Sequence, residues 1–507
     1  MVFNETKEVY EAISPADFFY RNREIAGFDN PVRATYTIIR ELVENSLDAC
    51  ETHGILPSVY VNLIEVKKGN VYRIRVEDNG CGVPKEYIPS AFGQILFGSK
   101  YVLRQTRGMF GLGGKMAILY GQITTHSPVK IVSSTGGPLK YQCELMIDIQ
   151  YNKPIIQRGG IKTIPNPSYW HGTIVEFDFE GDYPRAKSRI VEYFKQTAII
   201  LPYANITFIS PEGVYYKFIR VTDKLPNIPK ETLPHPKGID VEIIKRMIKR
   251  TRSEEIVDLL SNNFQRVGLK ISLDVLRLAK IDPKKNPKDL TSDEIVKLVN
   301  AMKRYDGFLP PDASCLSPIG PDLLVKGIGK ELKPEFVYGV QRKPSSYSGN
   351  PFIVEAAIAY GGGIQPPKPG EINLYRYANK IPLLYDAASD VSYKVIKSIK
   401  WNRYRIDLNM PIAFFIHIVS TKIPYKTVGK EFIADIPEVS YEIEWALKTC
   451  ARKLKSYLIS KVRRMAIERR VYVLEKHLPM IAQFASELAG RDLSNINLTK
   501  IIERVKR

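Results

Sequence analysis

Residues 41–48 run Glu41-Leu42-Val43-Glu44-Asn45-Ser46-Leu47-Asp48, and the architecture turns on what this octapeptide is. Glu41, Asn45 and Asp48 stand at i, i+4 and i+7, which is one face of an α-helix. Ile39, Val43, Leu47 and Cys50 lie on another face, suited to burial against a sheet. A carboxylate beside an amide on one helical face can hold a cation and polarise a water. Taken alone, the same pattern reads more readily as a solvated polar face.

On either side of it, the pattern predicts a helix over 31–51 and strands over 59–65 and 71–77. A glycine-rich stretch follows at 78–121, then strands near 130–133, 141–149 and 173–179, a helix at 185–199 and a strand at 204–209. Short turns between neighbouring strands favour an antiparallel or mixed sheet and remove a dinucleotide reading of the glycines. Asp78-Asn79-Gly80-Cys81-Gly82 follows the alternating strand Val71–Glu77, so a carboxylate is expected at a strand end. Gly80 and Gly82 would let the backbone approach a flat ligand closely, although a tight turn needs the same residues. Gly108-Met109-Phe110-Gly111-Leu112-Gly113-Gly114-Lys115 leads into an apolar segment and can aim backbone N–H groups at phosphate. It is not a P-loop, because Met116 stands where Ser or Thr must meet magnesium.

The chain has 507 residues, with 74 Lys+Arg against 54 Asp+Glu, a net charge of +20. With 44% hydrophobic and 25% charged residues it is ordinary globular protein, neither disordered nor fibrous. No apolar run approaches the roughly 18 residues needed to span a bilayer. MVFNETKEVYEA at the N-terminus has no apolar signal core. Cys50, Cys81, Cys143, Cys315 and Cys450 are scattered without a CxxC, against a disulfide framework or zinc site. Together these set the expectation of a cytoplasmic chain without a membrane partner. The positive charge suggests a polyanionic partner, nucleic acid before membrane, with a lysine-rich surface as the even alternative. Residues 448–507 hold 15 Lys/Arg and 5 Asp/Glu, half of the whole excess.

Four prolines between Pro226 and Pro236 read as a linker. Residues 239–303 then read as four short helices, and a second α/β unit follows from about 335 to 470. Its strands are expected in 352–362, 371–380 and 411–420, with a helix at 389–399. Ile443, Leu447, Cys450, Leu454, Leu458, Val462 and Met465 form one apolar stripe of a last helix beginning near Pro437. Unbroken to His477, before Pro479, it would span about 40 residues, or about 60 Å, and act as a stalk.

The order of motifs, E-x-x-x-N on a helix, D-x-G-x-G about 33 residues on and a glycine-rich segment about 30 further, resembles the GHKL ATPases. These are the gyrase, heat-shock chaperone, histidine kinase and MutL proteins. SPADFFYRNREIAGFDNPVRA (14–34), RELVENSLDAC (40–50), QTRGMFGLGGKMAILY (105–120) and STKIPYKTVGKEFIAD (420–435) are similar to the B subunits of topoisomerase VI, the archaeal type IIB topoisomerases. The similarity runs from about residue 14 to 470. It implies an α+β multi-domain chain: an N-terminal arm (1–30), a GHKL ATP-binding domain of the Bergerat α/β-sandwich type (31–232) and a helix–two-turn–helix-like module (233–310). A transducer with a stalk helix (311–470) and a helical tail (471–507) would follow.

The same resemblance implies residue roles. Glu41 would be the general base, and Asn45 the ligand of Mg²⁺. Asp48 would belong to the nucleotide-contacting set, and Asp78 would accept the adenine amino group beside Gly80 and Gly82. Ser99, Lys100 and the segment Gly108–Lys115 would contact ATP, and His171-Gly172-Thr173 would be a further nucleotide-binding box, with Thr173 at the ligand. Lys430 would reach the γ-phosphate from the transducer. The implied partners are a DNA-cutting A subunit in an A2B2 heterotetramer, a second copy on ATP binding, and double-stranded DNA. A MutL-like repair clamp is the alternative; the helical module at 239–303 speaks against it. A histidine kinase would need a phospho-accepting histidine upstream, and the first histidine is His53.

Overall fold

The structure, a computed structural model, describes residues 12–98, 102–108, 111–426, 430–490 and 502. After a short α1 (Pro15–Arg21), the Asn30 side chain accepts from the Arg33 N–H at 2.9 Å and Pro31 fills the first turn, which starts α2 (Pro31–Glu51). Ile39, Val43, Leu47 and Cys50 are buried as their spacing predicts. On the opposite face Glu41 is 8% exposed and Asp48 6%, while Asn45 between them is open to solvent. The two carboxylates are therefore not solvated, and these charges need partners inside the protein.

The first sheet contains β1 (Ser58–Lys67), β2 (Val71–Asp78), β3 (Val129–Thr135), β4 (Leu139–Asp148), β5 (Lys153–Ile156), β6 (Lys162–Pro165), β7 (His171–Glu180), β8 (Asn205–Ile209) and β9 (Tyr215–Phe218). Its order is β5-β4-β3-β7-β2-β1-β8-β9, with β6 beside β4. β1 and β8 are parallel and the other pairs antiparallel, so the sheet is mixed, as the short turns required. Three helices follow in this unit: α3 (Ile88–Gly93), α4 (Gly113–Thr125) and α5 (Tyr183–Ile200). α2 packs against both α4 and α5.

The four expected helices are α6 (Val241–Arg250), α7 (Ile256–Asn263), α8 (Leu269–Ala279) and α9 (Ser292–Arg304). They enclose their own core of Ile244, Leu259, Leu276 and Leu298. An unforeseen α10 (Pro321–Leu332) lies against α5 so closely that a Cβ on Gly327 would strike the Ile199 carbonyl.

The second sheet is built from β10 (Phe336–Gln341), β11 (Ser345–Tyr347), β12 (Asn350–Tyr360), β13 (Leu374–Ala378), β14 (Ile381–Pro382) and β15 (Ile412–Ser420). Its order is β10-β12-β15-β13-β14, with β11 beside β12. All of β15 is buried, which explains its unbroken apolar run: both faces of the sheet are covered. Ala357, Ala359, Ala413 and Phe415 join the core of the first unit. Ala356, Ile358, Phe414 and Ile416 pack with α11 (Val391–Ser398) and with Ile443, Leu447 and Leu454 of α12 (Pro437–Ala489).

Two expectations about α12 are corrected. It does not stop before Pro479 but runs 53 residues to Ala489 with that proline inside. Pro479 lies on an exposed stretch, where water can take the carbonyl left without its i→i−4 donor. The apolar stripe also ends early: Leu458 is buried, whereas Val462 is 63% and Met465 58% exposed. Beyond Leu458 the helix leaves the sheet. Among the described residues there are twelve α-helices and two sheets, none of the helices long and apolar enough to cross a membrane. All five cysteines are unpaired.

Candidate functional site

Asp78 ends β2 in the middle of the first sheet. Its Oδ1 accepts from the Gly80 N–H at 2.9 Å and the Thr173 N–H at 3.1 Å, and the Ser46 side chain of α2 also hydrogen-bonds to the carboxyl. Burial pushes this carboxyl up to about 6, against the pull of those three donors. The surrounding backbone has no room for side chains. A Cβ on Gly82 (φ +70) would enter the Ser134 carbonyl, one on Gly172 the Asp78 carbonyl, and one on Gly80 would sit 2.7 Å from the Ala49 Cβ. His171 Nδ1 meets the Gly80 carbonyl at 2.8 Å, and the Thr173 hydroxyl meets Ser133 Oγ at 3.1 Å. The structure thus brings Asp78, Gly80, Gly82 and Thr173 into one cluster.

A second cluster forms farther along α2. The N-terminus of α4 points at it: a Cβ on Gly113 would fall on the Glu41 carboxylate, and one on Gly114 would lie 2.7 Å from Asn45 Nδ2. Leu112 stands at the cap position and offers no side-chain acceptor of its own to the first-turn N–H groups. Gly111 (φ +60) precedes it. Lys115 is buried and donates to the Phe97 carbonyl. Glu41 Oε1 lies 2.7 Å from Arg40 Nη2 and 3.8 Å from Lys430 Nζ. Lys430, from the connection between β15 and α12, is also 3.5 Å from Glu44 Oε2. The base expected from the first unit and the lysine expected from the second therefore share one buried site. Ser99, Lys100, Met109 and Phe110 lie outside the described residues; Gly108 precedes the last two.

Sequence reasoning missed Glu44, Arg40 and Arg107. Glu44 is 3% exposed, and neither of its carboxylate oxygens accepts a hydrogen bond. Burial raises its pKa, opposed by the charge of Lys430. Arg40, 3.6 Å from Glu44, is held charged because Glu41 and Glu44 outweigh its burial. Arg107 binds Asp48 Oδ1 at 3.0 Å and Glu51 Oε1 at 2.7 Å, so the Asp48 carboxylate faces a guanidinium. Arg107 stands directly before Gly108 at the start of the glycine-rich motif; Glu44 stands within the helical one.

A buried carboxylate, a neighbouring amide, a second carboxylate in a glycine-walled slot and a helix N-terminus between them are the arrangement expected of a GHKL-class nucleotide hydrolase. The cradle fits a nucleotide on its own terms: Asp78 is a buried acceptor for an amine, Gly82 thins the wall, and the start of α4 suits phosphate. Residues 30–150 match the family described as "Histidine kinase-, DNA gyrase B-, and HSP90-like ATPase", and residues 311–470 match "Topoisomerase VI B subunit, transducer". The type 2 DNA topoisomerase 6 B subunit of Metallosphaera sedula is 46% identical over 487 residues, covering 95% of this chain and 90% of that protein. The protein of the same name from Sulfurisphaera tokodaii is 46% identical over 501 residues, 97% of this chain and 93% of its own. That of Saccharolobus islandicus is 44% identical over 481 residues, 94% and 90%. The chain belongs to the topoisomerase VI B-subunit family, the ATP-hydrolysing subunits of type 2 topoisomerases.

Proposed function

We propose that this chain is the ATP-operated gate of a strand-passage enzyme. The observation that carries the reading is the meeting of Lys430 with Glu41 and Glu44, 3.8 and 3.5 Å away, across the junction of the two α/β units. Glu41 orients and deprotonates the attacking water. Asp78 reads the adenine amine, and the N–H groups at the start of α4 receive phosphate. Asn45 holds Mg²⁺, which supplies charge neutralisation at the phosphates when bound. Ser99, Lys100 and the segment 108–115 complete the nucleotide contacts.

In this reading Lys430 exchanges its carboxylate partners for the γ-phosphate. Its position then reports the nucleotide state to the second sheet and α12. The unit 31–232 is the ATPase domain, 233–310 a helix–two-turn–helix module, 311–470 the transducer and 471–507 a helical tail. On ATP binding two copies pair through their ATPase domains, with the arm 1–20 crossing between protomers, enclose duplex DNA against basic surfaces, and work with a DNA-cutting A subunit as an A2B2 assembly. Light scattering on the full chain tests the gate. A mass near one protomer without nucleotide and near two with a non-hydrolysable ATP analogue and Mg²⁺ is expected; one unchanged mass in both conditions rejects it.

A further inference from the structure

A second lysine of the 311–470 unit grips α2 at its other end. Lys380 sits in the two-residue turn between β13 and β14; Asn379 and Lys380 have φ of 47° and 67°, the left-handed pair of a tight hairpin. Its Nζ lies 2.9 Å from Glu51 Oε2 and 3.2 Å from Ser317 Oγ. Glu51, the last residue of α2, also accepts from Arg107 Nη2 at 2.7 Å and from the Tyr203 hydroxyl at 2.9 Å. Arg107 returns to Asp48 one turn back on α2. Lys380, Glu51, Arg107 and Asp48 thus form a chain of alternating charges, none more than 9% exposed.

The backbone around this chain is fixed on both sides. Asn379 Nδ2 donates to the Thr106 carbonyl at 3.1 Å, and Gln105 exchanges two hydrogen bonds with the Ser317 backbone, at 2.6 and 3.2 Å. The Lys380 N–H donates to His417 Nε2 at 2.9 Å, and His417 Nδ1 meets Glu355 Oε2 at 2.7 Å in the centre of the second sheet. Apolar packing would join two domains without the desolvation cost of buried charges. What charges add is one permitted geometry, since each must face its partner. That geometry sets segment 105–108 and the azimuth of α2. Glu41 lies two turns, about 10 Å, along the same helix from Asp48.

We infer that Lys380 is a positioning residue for the nucleotide site: through Glu51 and Arg107 it holds α2 and segment 105–108 in register whether or not Lys430 is engaged. The inference rests on the ATPase reading above and adds a fixed point to the moving one. Lys380 stands in a tight hairpin, and Lys430 in the long connection between β15 and α12.

The test compares full-length wild type with Lys380→Met, which leaves Glu51 paired with Arg107 and Tyr203. The readouts are deuterium uptake of residues 45–53 and 102–108 without nucleotide, affinity for a non-hydrolysable ATP analogue, and kcat and KM per folded molecule. The inference expects uptake in these two segments to quicken about tenfold while β1 and β2 keep their protection. It expects kcat to fall about tenfold with KM within about threefold. Glu51→Gln should reproduce this, and the double variant should add little. A lower melting temperature with unchanged uptake, kcat and KM makes the cluster a structural joint and overturns the inference. Should Lys380→Met fail to fold, Asn379→Gly keeps the left-handed turn, removes the bond to Thr106 together with the two to the Ser420 backbone, and is judged by the same two outcomes. A wild-type chain that neither binds the analogue nor hydrolyses ATP refutes the ATPase reading instead, and the uptake comparison still decides whether Lys380 holds segment 105–108.

Discussion

Replacing Asp78 by Asn should stabilise the nucleotide-free protein and weaken nucleotide binding at once. The side chains are isosteric, and the amide oxygen can still accept from the Gly80 and Thr173 N–H groups at 2.9 and 3.1 Å. The Ser46 hydroxyl, which donates to a carboxylate, can turn to accept from the amide. What is lost is a buried charge. Burial raises this carboxyl to about 6 from an ordinary 3.8, so above both values the folded state carries an anion that it disfavours. At roughly 1.4 kcal/mol for each pH unit, the penalty at pH 8 is about 3 kcal/mol, and it disappears as pH falls through 6 towards 4. Denaturant unfolding at pH 8 should therefore show the variant more stable by up to about 3 kcal/mol, converging on wild type near pH 4. Calorimetry at pH 8 should show the ATP analogue bound about 1–3 kcal/mol more weakly, because the adenine amine loses its charged acceptor. Wild-type affinity should decline below about pH 6, and the variant's should stay flat. A variant less stable than wild type at pH 8, or one with unchanged affinity, overturns this account of Asp78.

Three further outcomes are expected. Glu41→Gln should bind the analogue normally and hydrolyse ATP about 10²–10⁴ times more slowly in single-turnover assays; a wild-type rate would remove Glu41 as the base. Lys430→Met takes away one of the two cations beside Glu44, whose pKa burial already raises, and leaves Arg40; unfolding should show a loss of stability larger at pH 8 than at pH 5, since acid neutralises the under-compensated carboxylate. Neutralising Lys448, Arg452, Lys455, Arg463 and Arg464 together should flatten the salt dependence of duplex binding by roughly one slope unit per lost phosphate contact, whatever the DNA sequence. Within that set Arg463 and Arg464 should matter most, because Lys448 is paired with Glu444 at 2.6 Å and Lys455 donates to the Arg403 carbonyl at 3.0 Å; filter binding over a salt series measures both.

Local pattern made most elements readable. The Pro31 start of α2, its apolar face and the alternation of Val71–Glu77 follow from periodicity and capping, and the structure follows them. The strands of four residues, β5, β6 and β9, are too short to carry a period. Pro479 ends a helix by local rule, yet α12 passes through it because one missing bond is small beside the 53 residues aligned around it. At the site, the motifs named Glu41, Asn45 and Asp78 but not their neighbours. Glu51 and Lys380 are 329 positions apart and touch only because a hairpin of the second sheet lands on the end of α2. Nothing local to either residue announces the other.

The departure of α12 from its sheet gives the molecule a lever. At 1.5 Å per residue its 53 residues measure about 80 Å, and the portion beyond Leu458 measures about 46 Å. A swing of about 10° where Ile443 and Leu447 are seated would carry the far end through an arc of about 11 Å, well beyond the scale of a side-chain rearrangement. Under the proposed role of Lys430, an ammonium that shifts by the width of one ion pair would be read out as a displacement visible to a neighbouring molecule. The proline at 479 sets where that rod can yield, leaving about 30 Å of uninterrupted backbone between the sheet and the first point of compliance.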